Sequence, residues 1–488
     1  MSQSRLDETA TDTETASHLS LRGQAAVLAG KVAASTIRAL GRGAATTMPG
    51  QVALRLDTNL LADLAAQLRY GVILIAGTNG KTTTTKMLAQ LLEQQGYSLI
   101  TNASGANLVS GLTAILLQST DWQGQVHADF GLFEVDEATL PHVLRAVQPR
   151  ALVLLNLFRD QLDRYGELNA IATKWRAALE RLPAATTVVV NGDDPTLAAI
   201  SEGIAARRVA FGLDDPNPLF HLAAVPHAAD ATVCRACGRD LAYATLYSAH
   251  LGDWRCDGCG RRRPELDVVG REIALEGVDA LRVTVERRGD RPASLPLRVA
   301  VPGLYNVYNT VAAVAATSTF GVPDAAIERA MADFRSAFGR IERVSFRGRT
   351  IVMALVKNPV GFNETLRMLT VGSGGLGVPT LIAINDLTAD GRDVSWLWDV
   401  DFELLATGDG PLYTTGIRGT DMANRLKYAG VPAARLHPLE DDLARGLQAF
   451  VEQVPEGQVG YVLPTYTAML GLRRTLADLG AVESFWRQ

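Results

Sequence analysis

The feature that most constrains this chain is a glycine-lysine-threonine loop that follows a short apolar strand. Residues 71–76 read Gly-Val-Ile-Leu-Ile-Ala, and residues 77–83 read Gly-Thr-Asn-Gly-Lys-Thr-Thr. A loop between a buried strand and a helix start directs backbone N–H groups and the positive end of the helix dipole at an anion. We therefore expect Lys81 to reach the β- and γ-phosphates of ATP and Thr82 to give its hydroxyl to Mg²⁺.

The loop departs from the usual phosphate-loop pattern at one position. Ile75 stands where the pattern has its first glycine, and Gly77 supplies a glycine to the turn instead. A second magnesium anchor is predicted at Glu134, where the apolar run Phe130–Val135 ends. Carboxylates at the carboxyl ends of central strands lie near such loops, and one or two of them with phosphates are normal Mg²⁺ ligands. The residues predicted to bind the nucleotide through the loop are Gly77, Thr78, Asn79, Gly80, Lys81, Thr82 and Thr83.

From about residue 70 onward, short apolar strands alternate with helical segments. Most strands are continuously apolar, as in a parallel sheet that is covered on both faces. The pattern predicts an α/β fold with a doubly wound, parallel central sheet and, after a boundary near residues 339–344, a second Rossmann-like α/β domain. The predicted domains are a flexible tail with a helix over 1–50, an ATP-binding domain over 51–340 and a C-terminal domain over 341–488. The central strands are predicted at Val72–Ala76, Tyr97–Thr101, Phe130–Val135, Leu152–Leu155, Val188–Asn191 and Arg208–Phe211.

The chain has four cysteines, in two Cys-x-x-Cys pairs with 18 residues between them. Cys234, Cys237, Cys256 and Cys259 fit a zinc pattern, and each pair is followed by a glycine, as tight knuckles require. Four thiolates close the coordination shell, so the Zn²⁺ would be structural. A zinc ribbon is therefore predicted as an insertion over 231–263, in a segment with little else to form a core. Two disulfides are a less favoured alternative in a reducing compartment.

Charge and hydropathy narrow the class of protein. The net charge of −5 gives no reason to expect nucleic acid as a partner, although arginines flank the cysteines. No apolar run approaches the roughly 20 residues that span a bilayer, and the polar, acidic N-terminus is unlike a signal peptide. We expect a cytoplasmic chain. Leu19–Leu40 predicts an Ala-rich helix, either a docking helix or a contact with the inner face of the membrane.

Five motifs occur in the order and spacing of the Mur ligase family, which the chain resembles from about Leu54 to its C-terminus. Ligases of this family transfer the γ-phosphate of ATP to a carboxylate and then let an amine attack the acyl phosphate. The motifs are the phosphate loop, Asn156–Gly166, Asn191–Pro195, Pro302–Asn309 and Phe338–Glu342.

The cysteine ribbon and two C-terminal stretches, Leu355–Asn363 and Asn385–Glu403, resemble the MurT branch of this family. That resemblance implies a carbon–nitrogen ligase that amidates the D-glutamate α-carboxyl of lipid II to D-isoglutamine at the cytoplasmic membrane face. It also implies a heterodimer with a GatD-like glutaminase that supplies ammonia. The cysteine count agrees, because a zinc site that uses all four cysteines leaves none to hydrolyse glutamine.

The resemblance assigns roles to individual residues. Lys81 would bind phosphate, and Thr82 and Glu134 would hold Mg²⁺. Asn309 matches an asparagine near the adenine. Arg340 matches an arginine that reaches the phosphates across the domain joint, where its charge would stabilise the transferring phosphoryl group.

Three departures argue against direct addition of an amino acid. Gln161 stands where amino-acid-adding Mur ligases usually have a histidine of a second metal site, and Ala354 stands where many have an aspartate. Many members of the family carry a carbamylated lysine near the position of Lys174, but aligning Lys174 with it requires a gap of one residue. Two rivals stay open: a Mur or folylpolyglutamate-type ligase that adds an amino acid, and a non-catalytic ATP-binding regulator.

An acidic segment follows the second C-terminal strand and contains Asp386, Asp390, Asp393, Asp399 and Asp401. Our hypothesis is that one of these aspartates orients the catalytic histidine of the partner or binds ammonia, because an aspartate beside a histidine fixes its tautomer and raises its basicity. The first candidates are Asp390, Asp393 and Asp399. The alternative is an acidic loop that caps helices and favours solubility.

Overall fold

The computed structural model describes residues 19–40, 46–102, 106–159, 168–289, 292–335, 341–370 and 376–482. Within these ranges the chain forms a nine-stranded sheet, a six-stranded sheet and a separate two-stranded hairpin. No helix in these ranges is long and apolar enough to cross a membrane. Gln161 and Arg340 lie outside the described residues, as do the ends of the two motifs that contain them.

The central sheet has the strand order β11-β10-β9-β6-β5-β4-β1-β3-β2. Every pairing from β2 to β9 is parallel, whereas β9, β10 and β11 form an antiparallel edge. All six predicted strands are confirmed to within two residues. The strands up to this edge, with the hairpin β7–β8, are β1 Val72–Ala76, β2 Leu99–Thr101, β3 Phe130–Val135, β4 Ala151–Leu154, β5 Thr187–Asn191, β6 Arg207–Leu213, β7 Ala242–Ser248, β8 Leu251–Arg255, β9 Val268–Glu276, β10 Ala280–Arg287 and β11 Ala293–Val299.

Helices cover both faces of this sheet, which explains why its central strands are apolar throughout. Ile73 and Ile75 of β1 pack with α4, α9 and α10, whereas Leu74 packs with α1–α3 and α5–α8. The helices are α1 Leu21–Ala39, α2 Met48–Leu56, α3 Leu60–Ala65, α4 Lys81–Glu93, α5 Val109–Gln118, α6 Leu140–Ala146, α7 Leu168–Leu179, α8 Pro195–Ile200, α9 Leu304–Ser318 and α10 Asp324–Asp333.

The prediction that the cysteine segment has little core of its own is wrong. The hairpin β7–β8 buries Leu246, Tyr247, Leu251 and Trp254. The indole N–H of Trp254 donates to the carbonyl of Gly192, 3.0 Å away, so the hairpin is anchored to the end of β5. The apolar pattern of the sequence did not reveal this core, because the two strands are short, irregular in register and polar on one side.

The C-terminal sheet has the order β12-β13-β17-β14-β15-β16, in which β12 is an antiparallel edge and the other pairings are parallel. Helices pack on both faces, as in the predicted Rossmann-like fold. The elements are β12 Ile341–Phe346, β13 Arg349–Ala354, α11 Pro359–Thr370, β14 Thr380–Ala383, β15 Leu412–Thr415, α12 Gly419–Tyr428, β16 Leu436–Pro438, α13 Leu443–Gln453, β17 Val459–Pro464 and α14 Tyr466–Asp478.

Candidate active site

The phosphate loop lies between the carboxyl end of β1 and the start of α4, and the residues after β4 hold its shape. The Thr78 N–H donates to the carbonyl of Asn156 (3.1 Å), and the Asn79 N–H donates to Asn156 Oδ1 (2.8 Å). The Thr78 hydroxyl donates to the carbonyl of Phe158 (3.0 Å), and the Phe158 N–H lies 2.9 Å from the same hydroxyl oxygen. The motif that begins at Asn156 therefore braces the loop from the neighbouring strand.

Two glycines let the loop make these contacts. Gly77 and Gly80 have φ values of +149° and +92°, which side chains rarely adopt. A Cβ on Gly80 would overlap Oδ1 of Asn309, which is 3% exposed on α9. The Asn309 amide donates in turn to Asn306 Oδ1 (3.0 Å), so the asparagine predicted near the nucleotide is fixed directly against the loop.

Lys81, the charged residue of the loop, is partly buried and paired with a buried carboxylate. Lys81 Nζ donates to the carbonyl of Gly77 (2.5 Å) and lies 3.2 Å from Glu137 Oε2. The Thr82 hydroxyl donates to Glu134 Oε2 (2.8 Å). The main chain of Glu134 is held on both sides by the Asn102 side-chain amide, at 2.9 and 2.7 Å. The structure thus brings Thr82 and Glu134 together, and it adds Glu137, which the sequence analysis had not paired with the lysine.

Hydroxyl and carboxylate oxygens are the ligands that Mg²⁺ prefers, and Mg²⁺ usually takes its remaining ligands from phosphates and water. The Thr82–Glu134 pair has this chemistry and lies beside the anion-binding loop. The residues present therefore fit the magnesium site that the sequence predicts. Their role as ligands stays a prediction.

A cleft runs between the two sheets and opens onto the loop. The side chains of Asn79 and Asn358 span it with reciprocal amide contacts of 3.0 and 3.4 Å. The hairpin contributes Ser248 and Leu251 to its lining. The rest of the lining is Asn79, Gly80, Asn156, Phe158, Tyr305, Tyr308, Asn309, Ile341, Ala354, Leu355, Val360, Gly361, Glu364 and Thr365.

Arg159, in the motif that begins at Asn156, forms a second link across the cleft. Its guanidinium pairs with Asp230 and lies 3.4 Å from Asp399 of the C-terminal sheet's acidic segment. Burial raises the pKa of Asp230, and the nearby Arg159 opposes that shift. Sequence reasoning missed this contact, because nothing in the local pattern relates residues 240 positions apart.

The other aspartates of the acidic segment also have partners in the fold. Asp390 is buried and accepts from the Thr467 N–H (2.8 Å) and hydroxyl (2.5 Å) at the start of α14. Asp393 is exposed, and hydrogen bonds from the Ser395 side chain and backbone lower its pKa. Asp386 pairs with Arg418, and Asp401 accepts from Asn363. These bonds favour a structural role for the three residues: Asp390 caps α14, whereas Asp386 and Asp401 pair with side chains.

Lys174 does not line the cleft. It is exposed on α7, in a shallow groove with Pro141, His142 and Arg145. This position gives no support to a carbamylated lysine at the active site.

The four cysteines form two matching knuckles. Their Sγ atoms all lie within 4.8 Å of one another, with 3.6 Å between Cys234 and Cys259 and 3.4 Å between Cys237 and Cys256. A tetrahedral Zn²⁺ site with Zn–S bonds of about 2.3 Å requires Sγ separations of roughly 3.8 Å. The donor set and its geometry fit zinc.

Each knuckle has the same backbone turn. Gly238 and Gly260 have φ values of +73° and +74°, and their N–H groups donate to the carbonyls of Cys234 (2.8 Å) and Cys256 (3.0 Å).

The pKa of the Cys256 thiol is lowered to about 7, chiefly by the backbone N–H of Cys259. The Arg239 N–H acts in the same direction on Cys237, but hydrogen bonds with the other thiols, together with desolvation, outweigh it and raise the pKa of Cys237 to about 11. The thiols are close enough for the ionisation of one to oppose that of the next, and a bound cation would remove this opposition.

The sequence and fold have clear relatives. Residues 75–240 match the family model for the Mur ligase middle domain, and residues 355–469 match the model for the MurT ligase C-terminal region. The chain is 32% identical over 462 residues to the MurT subunit of lipid II isoglutaminyl synthase (glutamine-hydrolyzing) from Streptococcus pneumoniae, covering 94% of this chain and 98% of that protein. The Staphylococcus aureus (strain COL) subunit is 29% identical, covering 84% and 89%.

The fold resembles that of a solved pseudomurein peptide ligase type C from Methanothermus fervidus. The TM-score is 0.63 at 17% sequence identity, and the match covers 84% of this chain and 78% of that structure. At this identity the likeness concerns the fold alone.

Replacing Gly80 by alanine should weaken ATP binding at least about 10-fold, because the new methyl group would displace Asn309 and distort the loop. The matched control is Gly96→Ala. Gly96 has a similar φ of +85°, but a Cβ there would meet nothing within 4 Å. Titration calorimetry with ATP and Mg²⁺ would measure both variants. Equal affinities for the two variants would contradict a role of the Gly80–Asn309 contact in nucleotide binding.

Proposed function

The chain belongs to the MurT family, and on this premise we propose that it is the ligase subunit of a lipid II isoglutaminyl synthase in peptidoglycan synthesis. It uses ATP to amidate the α-carboxyl of D-glutamate in lipid II to D-isoglutamine. The observation that carries this proposal is the match along 98% of the Streptococcus pneumoniae subunit. The paired Thr82 and Glu134 beside the phosphate loop support it.

The reaction has two balanced steps. A carboxylate oxygen attacks the γ-phosphorus of ATP, and the bond to the ADP oxygen breaks to leave an acyl phosphate. The lone pair of ammonia then attacks the acyl carbon, phosphate leaves with its electron pair, and the nitrogen loses a proton. Mg²⁺, when bound, neutralises charge on the phosphates.

The residues of the chain contribute position and charge. Loop N–H groups and Lys81 would bind the phosphates, and Thr82 and Glu134 would hold the cation. Arg340, which lies outside the described residues, would supply a second positive charge to the phosphates, as the resemblance to the family implies. The contact of Asn79 with Asn358 and the pair of Arg159 with Asp399 favour a cleft that closes over the nucleotide and excludes water.

The rival ligase that adds an amino acid is not favoured by the comparisons. Ala354 lines the cleft where such ligases often carry an aspartate, so a hydrophobic methyl group replaces a carboxylate there. A non-catalytic regulator is not favoured either, because the relatives that match most of the chain are named as subunits of a synthase.

Ammonia must come from a partner. All four cysteines of the chain lie in the knuckles, so no thiol remains to attack glutamine. The relatives are named as subunits of a glutamine-hydrolysing synthase, which implies a complex. We propose a heterodimer with a GatD-like glutaminase, acting where its lipid-linked substrate lies, at the inner face of the membrane.

Among the three candidate aspartates, Asp393 has the geometry that best suits contact with the partner. Asp390 is buried and already caps α14, and Asp399 faces Arg159. Asp393 is exposed, and its carboxylate accepts from Ser395 within its own turn, so part of it stays open to solvent. A carboxylate in this state can accept the Nδ1–H of a partner histidine and fix its tautomer.

The proposed zinc acts as a structural brace. The hairpin between the knuckles has the fully buried His250 in its turn. The Nδ1 atom of His250 accepts from the N–H groups of Asp230 (3.1 Å) and Ala231 (3.2 Å). The His250 ring packs 4.8 Å from the ring of Phe158, whose backbone holds Thr78. A metal that closes the knuckles would therefore stabilise one wall of the nucleotide cleft.

Lys81→Ala should reduce amidation with ammonium by roughly 10²–10³-fold, because a charge that stabilises the transferring phosphoryl group is lost. Lys86→Ala is the control, since Lys86 is exposed on the same helix. The assay supplies a lipid-linked D-glutamate precursor, ATP and ammonium, and follows ADP and the amidated product together. Amidation that survives in Lys81→Ala would refute the site, and addition of an amino acid in place of ammonia would refute the proposed reaction.

Asp393→Asn should lower glutamine-dependent amidation by at least about 10-fold in the reconstituted complex, because the partner histidine loses its anionic acceptor. Amidation driven by free ammonium should stay unchanged, since the ligase site is intact. Asp441→Asn, at another exposed position in this part of the chain, is the control. A normal glutaminase rate in Asp393→Asn, with a loss in Asp390→Asn or Asp399→Asn, would move the role to one of those residues.

Cys256→Ser should abolish stoichiometric zinc, lower the unfolding temperature and weaken ATP binding several-fold, since the hairpin would no longer be held against Phe158. Arg235→Ala, which changes an exposed residue inside a knuckle, should retain all three properties. Metal analysis, thermal unfolding and calorimetry give separate measurements. A zinc-free variant with normal ATP affinity would disprove the brace.

A further inference from the structure

The N-terminal helix α1 is apolar on two opposite faces. Its inner face consists of small buried residues: Gly23, Ala26, Val27, Gly30 and Ala34. Leu117 of α5 lies so close that a Cβ on Gly30 would overlap its side chain. The helix is therefore packed tightly on the outer layer of the central sheet and turns its other face away from the protein.

The outward face follows helical spacing. Leu21, Leu28 and Val32 are 86%, 56% and 57% exposed, and Ala25 and Ala39 are exposed on the same side. Residues at i, i+4, i+7 and i+11 share one face of a helix. A helix that is apolar all round is normally covered on both sides, yet in the described part of the chain this face meets solvent.

The charge along α1 and α2 is one-sided, whereas one partly exposed carboxylate, Asp121, lies at the edge of this face beside Trp122. Residues 15–56 contain no aspartate or glutamate but five arginines and lysines, although the whole chain has an acidic excess. Arg22 and Arg38 are exposed on α1, on opposite sides of the apolar stripe, and Arg55 is exposed on the adjoining α2. A neutral stripe with a basic border is complementary to an anionic lipid surface.

An exposed indole extends the same surface. Trp122 is 83% exposed, and Lys31 Nζ of α1 lies 5.2 Å from the centre of its ring. Lys31 also donates to the carbonyls of Thr120 (2.5 Å) and Asp121 (3.0 Å), so the loop that carries the indole is tied to the helix. Tryptophan is enriched at membrane–water interfaces, where its ring is half in hydrocarbon and half among headgroups.

We propose that the α1 surface, formed by Leu21, Ala25, Leu28, Val32 and Trp122, docks onto an anionic membrane. The helix would lie in the plane of the interface, with its apolar residues below the headgroups and its arginines among the lipid phosphates. Because α1 is packed against α5, docking would also orient the central sheet relative to the bilayer. This inference rests on the proposed function in one respect: a lipid-linked substrate gives the protein a reason to dock onto a membrane.

The test is sedimentation of the full chain with vesicles of phosphatidylglycerol and phosphatidylcholine, compared with vesicles of phosphatidylcholine alone. Wild type should bind the anionic vesicles, less so at high salt, with a blue shift of tryptophan fluorescence. The double variant Leu28→Glu/Val32→Glu should bind at least about 10-fold more weakly. The control, Leu219→Glu/Val225→Glu, makes the same changes at two exposed apolar residues far along the chain.

Further measurements separate this surface from its alternatives. Trp122→Ala should weaken vesicle binding and remove most of the blue shift. If wild type and Leu28→Glu/Val32→Glu bind vesicles equally, the proposal is wrong. If the double variant instead loses a co-expressed glutaminase subunit or a dimer of the chain, the surface is a protein interface and the proposal is overturned. Vesicle binding is independent of catalysis, so failure of the amidation assay would not imitate either result.

Discussion

The hydrogen bonds that join the phosphate loop to Asn156 and Phe158 are the contacts on which the rest of the site depends. Two backbone N–H groups and one hydroxyl of the loop are satisfied by residues at the end of β4. The same short segment then reaches outward: Phe158 packs on His250 of the hairpin, and Arg159 pairs with Asp399 of the C-terminal sheet. One strand end therefore connects the nucleotide loop with both of the other parts of the chain.

A buried polar network fixes the position of α9 relative to that loop. Asp193 is fully buried, and burial raises its pKa to about 6 even though Arg263 lies 3.0 Å away and favours the charged form. It accepts from the Tyr308 hydroxyl (2.8 Å), which sets the position of the next residue, Asn309, against Gly80. Arg263 follows the second cysteine knuckle, so the network links this knuckle to α9, and α9 contacts the loop through Asn309. A buried network of this kind specifies one arrangement because each unpaired group would carry a large desolvation cost.

The parts that the sequence predicted correctly are those encoded by neighbouring residues. The apolar run before the loop, the glycine-lysine-threonine turn and the Cys-x-x-Cys-Gly knuckles are local patterns whose geometry follows from backbone sterics and helix dipoles. The roles of the aspartates in the acidic segment could not be predicted in the same way, because the sequence does not distinguish an aspartate that caps a helix from one that contacts a partner protein. The bonds of Asp390 to Thr467 separate it from the exposed Asp393. The hairpin core was missed because its burial comes from contact with the central sheet rather than from its own periodicity.

The sequence by itself determined the fold class, the anion-binding loop and the composition of the cysteine site, since each depends on residues within about one turn or one strand of each other. Only the tertiary structure decided which distant groups meet. It paired Asn79 with Asn358, 279 positions away, Arg159 with Asp399, and Lys81 with Glu137. It also left one face of α1 apolar and uncovered within the described chain. Such pairings follow from how two sheets and a hairpin pack, because a polar group is buried at little cost only where the packing supplies a partner, and that partner is often distant in sequence.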